Sequence, residues 1–244
     1  MLGEIKVLDK GYVKLLNVAG PYRRQEKPCD GDDTDFAKVA RISYQGDDDS
    51  HTREQDLKLA DYLIKNKHTT PIEMIETWWE VKLPLFVARQ LIRHRTISVN
   101  EMSARYTVMP DEFYIPEPIN VGVQHETNKQ GSNLVGVARE NMEYAEAFCG
   151  HLEEHSRHSY EMYEIALKAG VPRERARCFL PVNVYTRWIW KQDLWNLMHF
   201  LRLRLHSHAQ FESRLYAEAK FELLKLYLPE SCAMFDKHIR VKED

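Results

Sequence analysis

Residues 77–90 run Thr-Trp-Trp-Glu-Val-Lys-Leu-Pro-Leu-Phe-Val-Ala-Arg-Gln, and the change of period inside them decides the fold class. Thr77–Leu83 alternates between two faces and is rich in aromatic residues, the pattern of a β-strand. Pro84 suits the first turn of a helix, where its missing N–H loses no partner. That helix is expected over Leu85 to about His94. A strand feeding straight into a helix makes the chain α/β.

Outward from this stretch the two halves differ. Toward the N-terminus, Ile5–Leu8 and Tyr12–Val18 are expected as short strands joined at Asp9-Lys10-Gly11, a hairpin signal. Asp33 or Thr34 can cap a helix to about Ile42, and residues 46–51 form a polar loop. Thr52 with Gln55 resembles a capping box opening a helix through Leu57, Leu59, Ala60, Leu63 and Ile64. Toward the C-terminus, Pro110, Pro116 and Pro118 break the pattern and residues 120–133 look loop-like. Leu134–Ala169 is expected as a long helix stopped by Gly170 and Pro172. Residues 173–180 are expected to be helical again, and a third helical stretch to run from about Tyr185 to Leu228. The whole predicts an α+β arrangement: a short β-rich N-terminal half with a mixed or antiparallel sheet, long helices in the C-terminal half, and a single domain over 1–244.

Composition narrows the function. Lys+Arg 34 against Asp+Glu 37 leaves −3, no basic field of the kind a dedicated nucleic-acid binder shows. No apolar run is long enough to span a membrane. Met1–Lys10 alternates charged and apolar residues and lacks a signal-peptide core. Cys29, Cys149, Cys178 and Cys232 form no Cys-x-x-Cys pair, which fits reduced thiols in a cytoplasmic protein. With Gly at 10 in 244 and no glycine-rich phosphate loop, any phosphate must be held by side chains.

The densest polar stretch is 93–106, Arg-His-Arg-Thr-Ile-Ser-Val-Asn-Glu-Met-Ser-Ala-Arg-Tyr, with three arginines and no lysine. Arginine's planar fork pairs bidentately with phosphate or carboxylate. On the expected helix Arg89 and Arg93 are four apart and repel modestly unless an anion lies nearby. A solvated helix end with cations near its C-terminus is the plainer alternative. Arg173, Arg175 and Arg177 form a second basic cluster, either surface or a second anion contact.

Positions 190, 194, 197, 201, 204, 208, 211 and 215 share one face if the third stretch is one helix. Six of these eight are apolar, with Arg204 and His208 between them. A guanidinium on such a stripe needs a partner: a buried acid such as Glu101, a ligand or another subunit. In a dry site it would act strongly on developing charge. His151, His155 and His158 could form a metal face, which would make a histidine-centred metallohydrolase; a solvated polar face is the plainer reading. A non-enzymatic nucleic-acid binding module using the arginine clusters is the other alternative. Ser103 lacks a paired base, so it suits ligand hydrogen bonding better than attack.

Several blocks together resemble the flavin-dependent thymidylate synthases. Arg93-His94-Arg95, seven residues, then Ser103 matches their signature. His68-Thr69-Thr70-Pro71-Ile72-Glu73 resembles their His-x-Thr-Pro-x-Glu element, and Phe86-Val87-Ala88-Arg89-Gln90 precedes the signature. Ala176-Arg177 with Leu180-Pro181 and Asn183-Val184-Tyr185-Thr186-Arg187 matches another block, and Leu203-Arg204 with Ser207-His208-Ala209-Gln210 a third. The resemblance implies the thymidylate synthase-complementing protein fold and reductive methylation of dUMP to dTMP. It implies 5,10-methylenetetrahydrofolate as carbon donor, FAD as cofactor, NADPH as reductant, and a homotetramer with shared active sites. It implies that Arg204 activates the uracil and that no metal is needed. For dUMP it implies Gln90, Leu91, Ile92, Arg93, Glu101, Met102, Ser103, Ala104, Arg105, Arg177 and Arg204, partly through backbone. For FAD it implies Ser43, His68, Thr70, Arg93, His94, Arg95, Glu101 and His199, with Asp193, Leu194 and Trp195 lining the flavin. The chain departs from the resemblance at those last positions, where Asn-Ala-Arg is expected, and at His199, where Asn is common.

Overall fold

Strands β1 (Gly3–Val7) and β2 (Gly11–Ala19) pair antiparallel in a computed structural model that describes residues 2–22, 31–44, 51–127, 129, 131–133 and 142–241. The turn between them closes so tightly that a Cβ at Gly11 would lie 2.6 Å from the Val7 carbonyl oxygen. Helix α1 (Asp35–Arg41) follows without a side-chain cap, because the Thr34 hydroxyl donates to Asp32 instead. Helix α2 (Arg53–Lys65) carries the expected capping box between Thr52 and Gln55. Residues 46–50 of the expected polar loop lie outside the described residues.

After the short helix α3 (Thr69–Ile72) comes β3 (Glu76–Pro84) and then α4 (Leu85–Leu91). Pro84 is the last strand residue and the N-cap rather than the first helical residue, with ψ at 146°. The Leu85 and Phe86 N–H groups donate to the carbonyls of Val184 and Val182, both at 2.9 Å, so the helix start is bolted to a distant turn. Helix α4 stops at Leu91, earlier than expected, so Arg93 and His94 lie beyond it. Thr96 then adopts a left-handed φ of 55° and the chain reverses into β4 (Ser98–Glu101).

The segment expected as a loop over 120–133 contains a two-stranded ribbon, β5 (Val123–Gln124) with β6 (Ser132–Asn133). Residues 134–141 of the expected long helix lie outside the described residues, and α5 is described over Met142–Lys168. Gly170, at φ +83°, ends that run, and α6 (Arg173–Ala176) follows.

The main correction is the third stretch. Tyr185–Asp193 is a strand, β7, pairing with β3 on one side and β4 on the other. Its signal is a period of two: Thr186, Trp188, Trp190 and Gln192 are buried, while Arg187 and Ile189 are exposed. Helices α7 (Leu194–Arg204), α8 (Phe211–Lys225) and α9 (Pro229–His238) complete the chain, the last not anticipated. The supposed single stripe therefore belongs to a strand, a helix, a loop and a second helix. His208 is exposed in the loop, Leu194, Leu197, Leu201 and Arg204 lie on α7, and Phe211 and Leu215 lie on α8.

The sheet order is β1-β2-β3-β7-β4, and every ladder is antiparallel. Its inner face stacks Leu15, Trp79 and Trp190 in register, and α8 packs across β1 and β2 to cover it. These residues join Phe200, Tyr216 and Leu224 in the main core. The other face carries polar residues such as Glu80, Arg187 and Lys191, as expected of an antiparallel sheet with one face packed.

Candidate active site

Strand β4 and the turn after it build one wall of a cleft. The Glu101 carboxylate accepts a 2.7 Å hydrogen bond from the Thr186 hydroxyl on β7, and the Met102 N–H donates to the Arg187 carbonyl at 2.8 Å. The Ser103 hydroxyl accepts from the Arg105 N–H at 3.3 Å, shaping the turn. Opposite stand Arg177 and Cys178, held in place because the following turn clamps the start of α4 and because buried Asn183 donates to Tyr114 O and Ser156 Oγ. Glu101, Met102, Ser103, Ala104, Arg89 and Arg177 line this cleft of about 490 Å³. Arg105 stands at its edge, 3.6 Å from Glu174.

A second group gathers around α7. Arg204, its last residue, donates Nε–H to His94 Nε2 at 2.8 Å, and His94 packs edge-on against Phe200. The expected partner Glu101 is therefore not the one used; its carboxylate is engaged by Thr186. Accepting that bond requires a neutral His94. Burial, reinforced by the charges of Arg204, His199 and Lys220, pushes its pKa down to about 4. Burial also lowers the Arg204 pKa. His199 is lowered by burial and by Arg202 and Arg95, so Arg95 is an electrostatic neighbour of this group. The helix carrying Thr70 packs against α7, and α1, which precedes Ser43, packs against that helix. His68 is exposed at its N-cap position.

Other expected residues are placed differently. Gln90 lines a separate cleft of about 420 Å³ with Ser207, His208, Gln210 and the β5–β6 segment. The Leu91 and Leu194 side chains are wholly buried in the core. Ile92 and Arg93 are exposed. The Asp193 carboxylate caps α7, accepting from Asn196 N at 2.9 Å and Asn196 Nδ2 at 2.8 Å, while Trp195 is half-buried against the core. His151, His155 and His158 are exposed on α5, and no metal-binding group of three or more acidic, histidine or cysteine side chains occurs among the described residues. The sequence reading did not anticipate Thr186 as the partner of Glu101, while Arg89, expected near an anion, does line the cleft. The alternation in β7 would have placed Thr186 on an inward face.

No carboxylate among the described residues lies at ion-pair distance from Arg89, Arg93, Arg95, Arg173, Arg175, Arg177, Arg202 or Arg204, whereas Arg41, Arg53, Arg105, Arg157, Arg187, Arg214 and Arg240 all have one. Guanidinium groups left without acids, some inside clefts, suit phosphates. The donor set thus fits a pyrophosphate-bearing cofactor as well as a nucleotide.

The comparisons agree with this chemistry. The family described as thymidylate synthase complementing protein matches residues 27–230. A flavin-dependent thymidylate synthase of Ehrlichia ruminantium (strain Gardel) is 45% identical over 232 residues, covering 95% of this chain and 72% of that protein. One from Thermus thermophilus is 42% identical, covering 96% and 79%. The crystal structure of a UMP/dUMP methylase, PolB from Streptomyces cacaoi, bound with 5-Br dUMP, superposes with a TM-score of 0.80 at 26% identity, covering 98% of this chain and 100% of that one. The chain belongs to the thymidylate synthase complementing protein family, that of the flavin-dependent thymidylate synthases.

Proposed function

We propose that the protein methylates dUMP to dTMP, taking the carbon from 5,10-methylenetetrahydrofolate. The observation that carries this reading is Arg204: a half-buried guanidinium, unneutralised by any described carboxylate and oriented through its Nε by a neutral His94. The Nη atoms are left to face a ligand. Over a uracil ring they would stabilise the N3-deprotonated form, and partial burial strengthens that effect. Bound FAD, reduced by NADPH, would supply the hydride that completes the methyl group.

Arg105 and Arg177, with Ser103 and the backbone of 101–105, would hold the dUMP phosphate and uracil oxygens. Gln90 and Arg93, with the backbone of Leu91 and Ile92, would complete the contact. Arg93, His94, Arg95 and His199 would hold FAD, with Glu101, Ser43, His68 and Thr70 as further contacts. Leu194 is in the core and the Asp193 carboxylate is engaged, so around 193–195 the flavin would meet backbone and the Trp195 ring.

The site is read as shared between copies in a homotetramer, each copy a single domain over residues 1–244. In support, Gln90 lines one cleft while Glu101, Ser103 and Arg177 line another, so the residues assigned to dUMP do not converge within one chain. Free Cys149, Cys178 and Cys232 support a cytoplasmic setting.

An absorbance spectrum of the purified protein, with and without dUMP and NADPH, tests the reading. It predicts a flavin spectrum bleached by NADPH, and dTMP once dUMP and methylenetetrahydrofolate are added. Protein that binds no flavin and forms no dTMP would overturn it.

A further inference from the structure

Beside the cleft, across the Ser103–Arg105 turn, lies a second groove of about 590 Å³, lined among others by Arg105, Tyr106, Val171, Arg173 and Glu174. Its two arginines are donors suited to a second phosphate. Glu174 is the one acid among the described residues lining it, and it stands at the junction. Its Oε2 is 3.6 Å from Arg105 Nη2, and its carbonyl oxygen accepts the Arg177 Nε–H at 3.3 Å.

We propose that Glu174 is a specificity-determining residue, whose carboxylate closes this groove to nucleoside di- and triphosphates and restricts the cleft to monophosphates. The proposal rests on the reading above, in which Arg105 and Arg177 hold the phosphate of dUMP. A first phosphate there needs only Arg177 and a share of Arg105. A second phosphate would have to enter beside Glu174, which repels it directly and already occupies the guanidinium that would bind it. Like charge placed against an unwanted ligand is a usual route to selectivity. Both partners are about half exposed, with side chains 54% and 48% accessible, so water screens the effect to a modest factor.

The test compares equilibrium dialysis of dUMP, dUDP and dUTP against the full-length wild type, E174Q and E174D, in metal-free buffer at two salt concentrations. In E174Q the affinity for dUDP relative to dUMP rises roughly fivefold, and the rise shrinks at high salt. E174D, which keeps the charge, retains the wild-type ratio. An E174Q ratio equal to that of wild type, with dUMP still bound, overturns the role of Glu174 and leaves the enzyme reading standing. Failure of the wild type to bind dUMP overturns both. E174A serves as a second neutral variant, checked by its melting temperature.

Discussion

The His94–Arg204 pair and the Glu101–Arg177 cleft use the same side-chain type in opposite settings. Arg204 is half-buried and fixed by one hydrogen bond to a ring that is itself packed on Phe200. Arg177 is exposed, held among the described residues through a 3.3 Å bond to a backbone carbonyl. The first arrangement suits a charge that must act on a transition state, because its orientation is set before the substrate arrives. The second suits capture of a phosphate, where a mobile fork can close around the ligand. On the proposed reading, preorganisation and capture fall to different parts of the chain.

Five substitutions and one pH scan can break or sharpen that contrast. Arg204→Ala should cut dTMP formation about a thousandfold while leaving the melting temperature little changed. Near-normal turnover would erase the distinction. His94 should make stability pH-dependent on the order of 3 kcal/mol. The folded chain binds that proton near 4 and the unfolded chain near 6.5. Stability from this group is therefore complete above the unfolded value and drains as pH falls toward the folded one. A melting-temperature scan should show the slope in wild type and a flatter one in His94→Asn. Arg177→Ala should weaken dUMP binding by roughly 2 kcal/mol with turnover at saturation nearly retained, because it removes charged hydrogen bonds to the ligand. A fall in kcat equal to the fall in affinity would move Arg177 into the same class as Arg204. Asp193→Ala should cost about 1 kcal/mol of stability as a lost helix cap, read by denaturant unfolding. Ser103→Ala should keep measurable activity, since its hydroxyl shapes a turn; total loss of turnover with dUMP bound would contradict that.

Much of the molecule is legible in the sequence, for reasons that differ by element. The hairpin and the α2 capping box are local, and local chemistry is enough to find them. The clustered motif residues from Glu101 to Arg105, with Arg177, do line one cleft or its edge. Strand β7 reads as helix because Trp190, Leu194, Leu197 and Leu201 happen to keep helical spacing across a strand–helix junction. Only pairing with β3 and β4 reveals the period of two that Thr186, Trp188 and Trp190 obey. The expected partner of Arg204 is an acid, a ligand or another subunit, since an uncompensated buried cation is costly. Within the chain a neutral imidazole orients it and partial exposure eases the cost, and that depends on how α7 ends, which no spacing encodes.

Strand β7 has one more consequence. Its first residues anchor Glu101 through Thr186, and its last, Asp193, starts the helix that ends in Arg204. One strand therefore positions the wall proposed to hold the phosphate at one end and the arginine proposed to act on the ring at the other. If different copies complete each other, two variants that are each impaired at limiting dUMP need not make an equally impaired mixture. Unfolding and refolding Arg177→Ala together with Arg204→Ala would create some sites built from two intact halves. Genetic complementation between defective alleles would then follow from the proposed sharing of sites between copies.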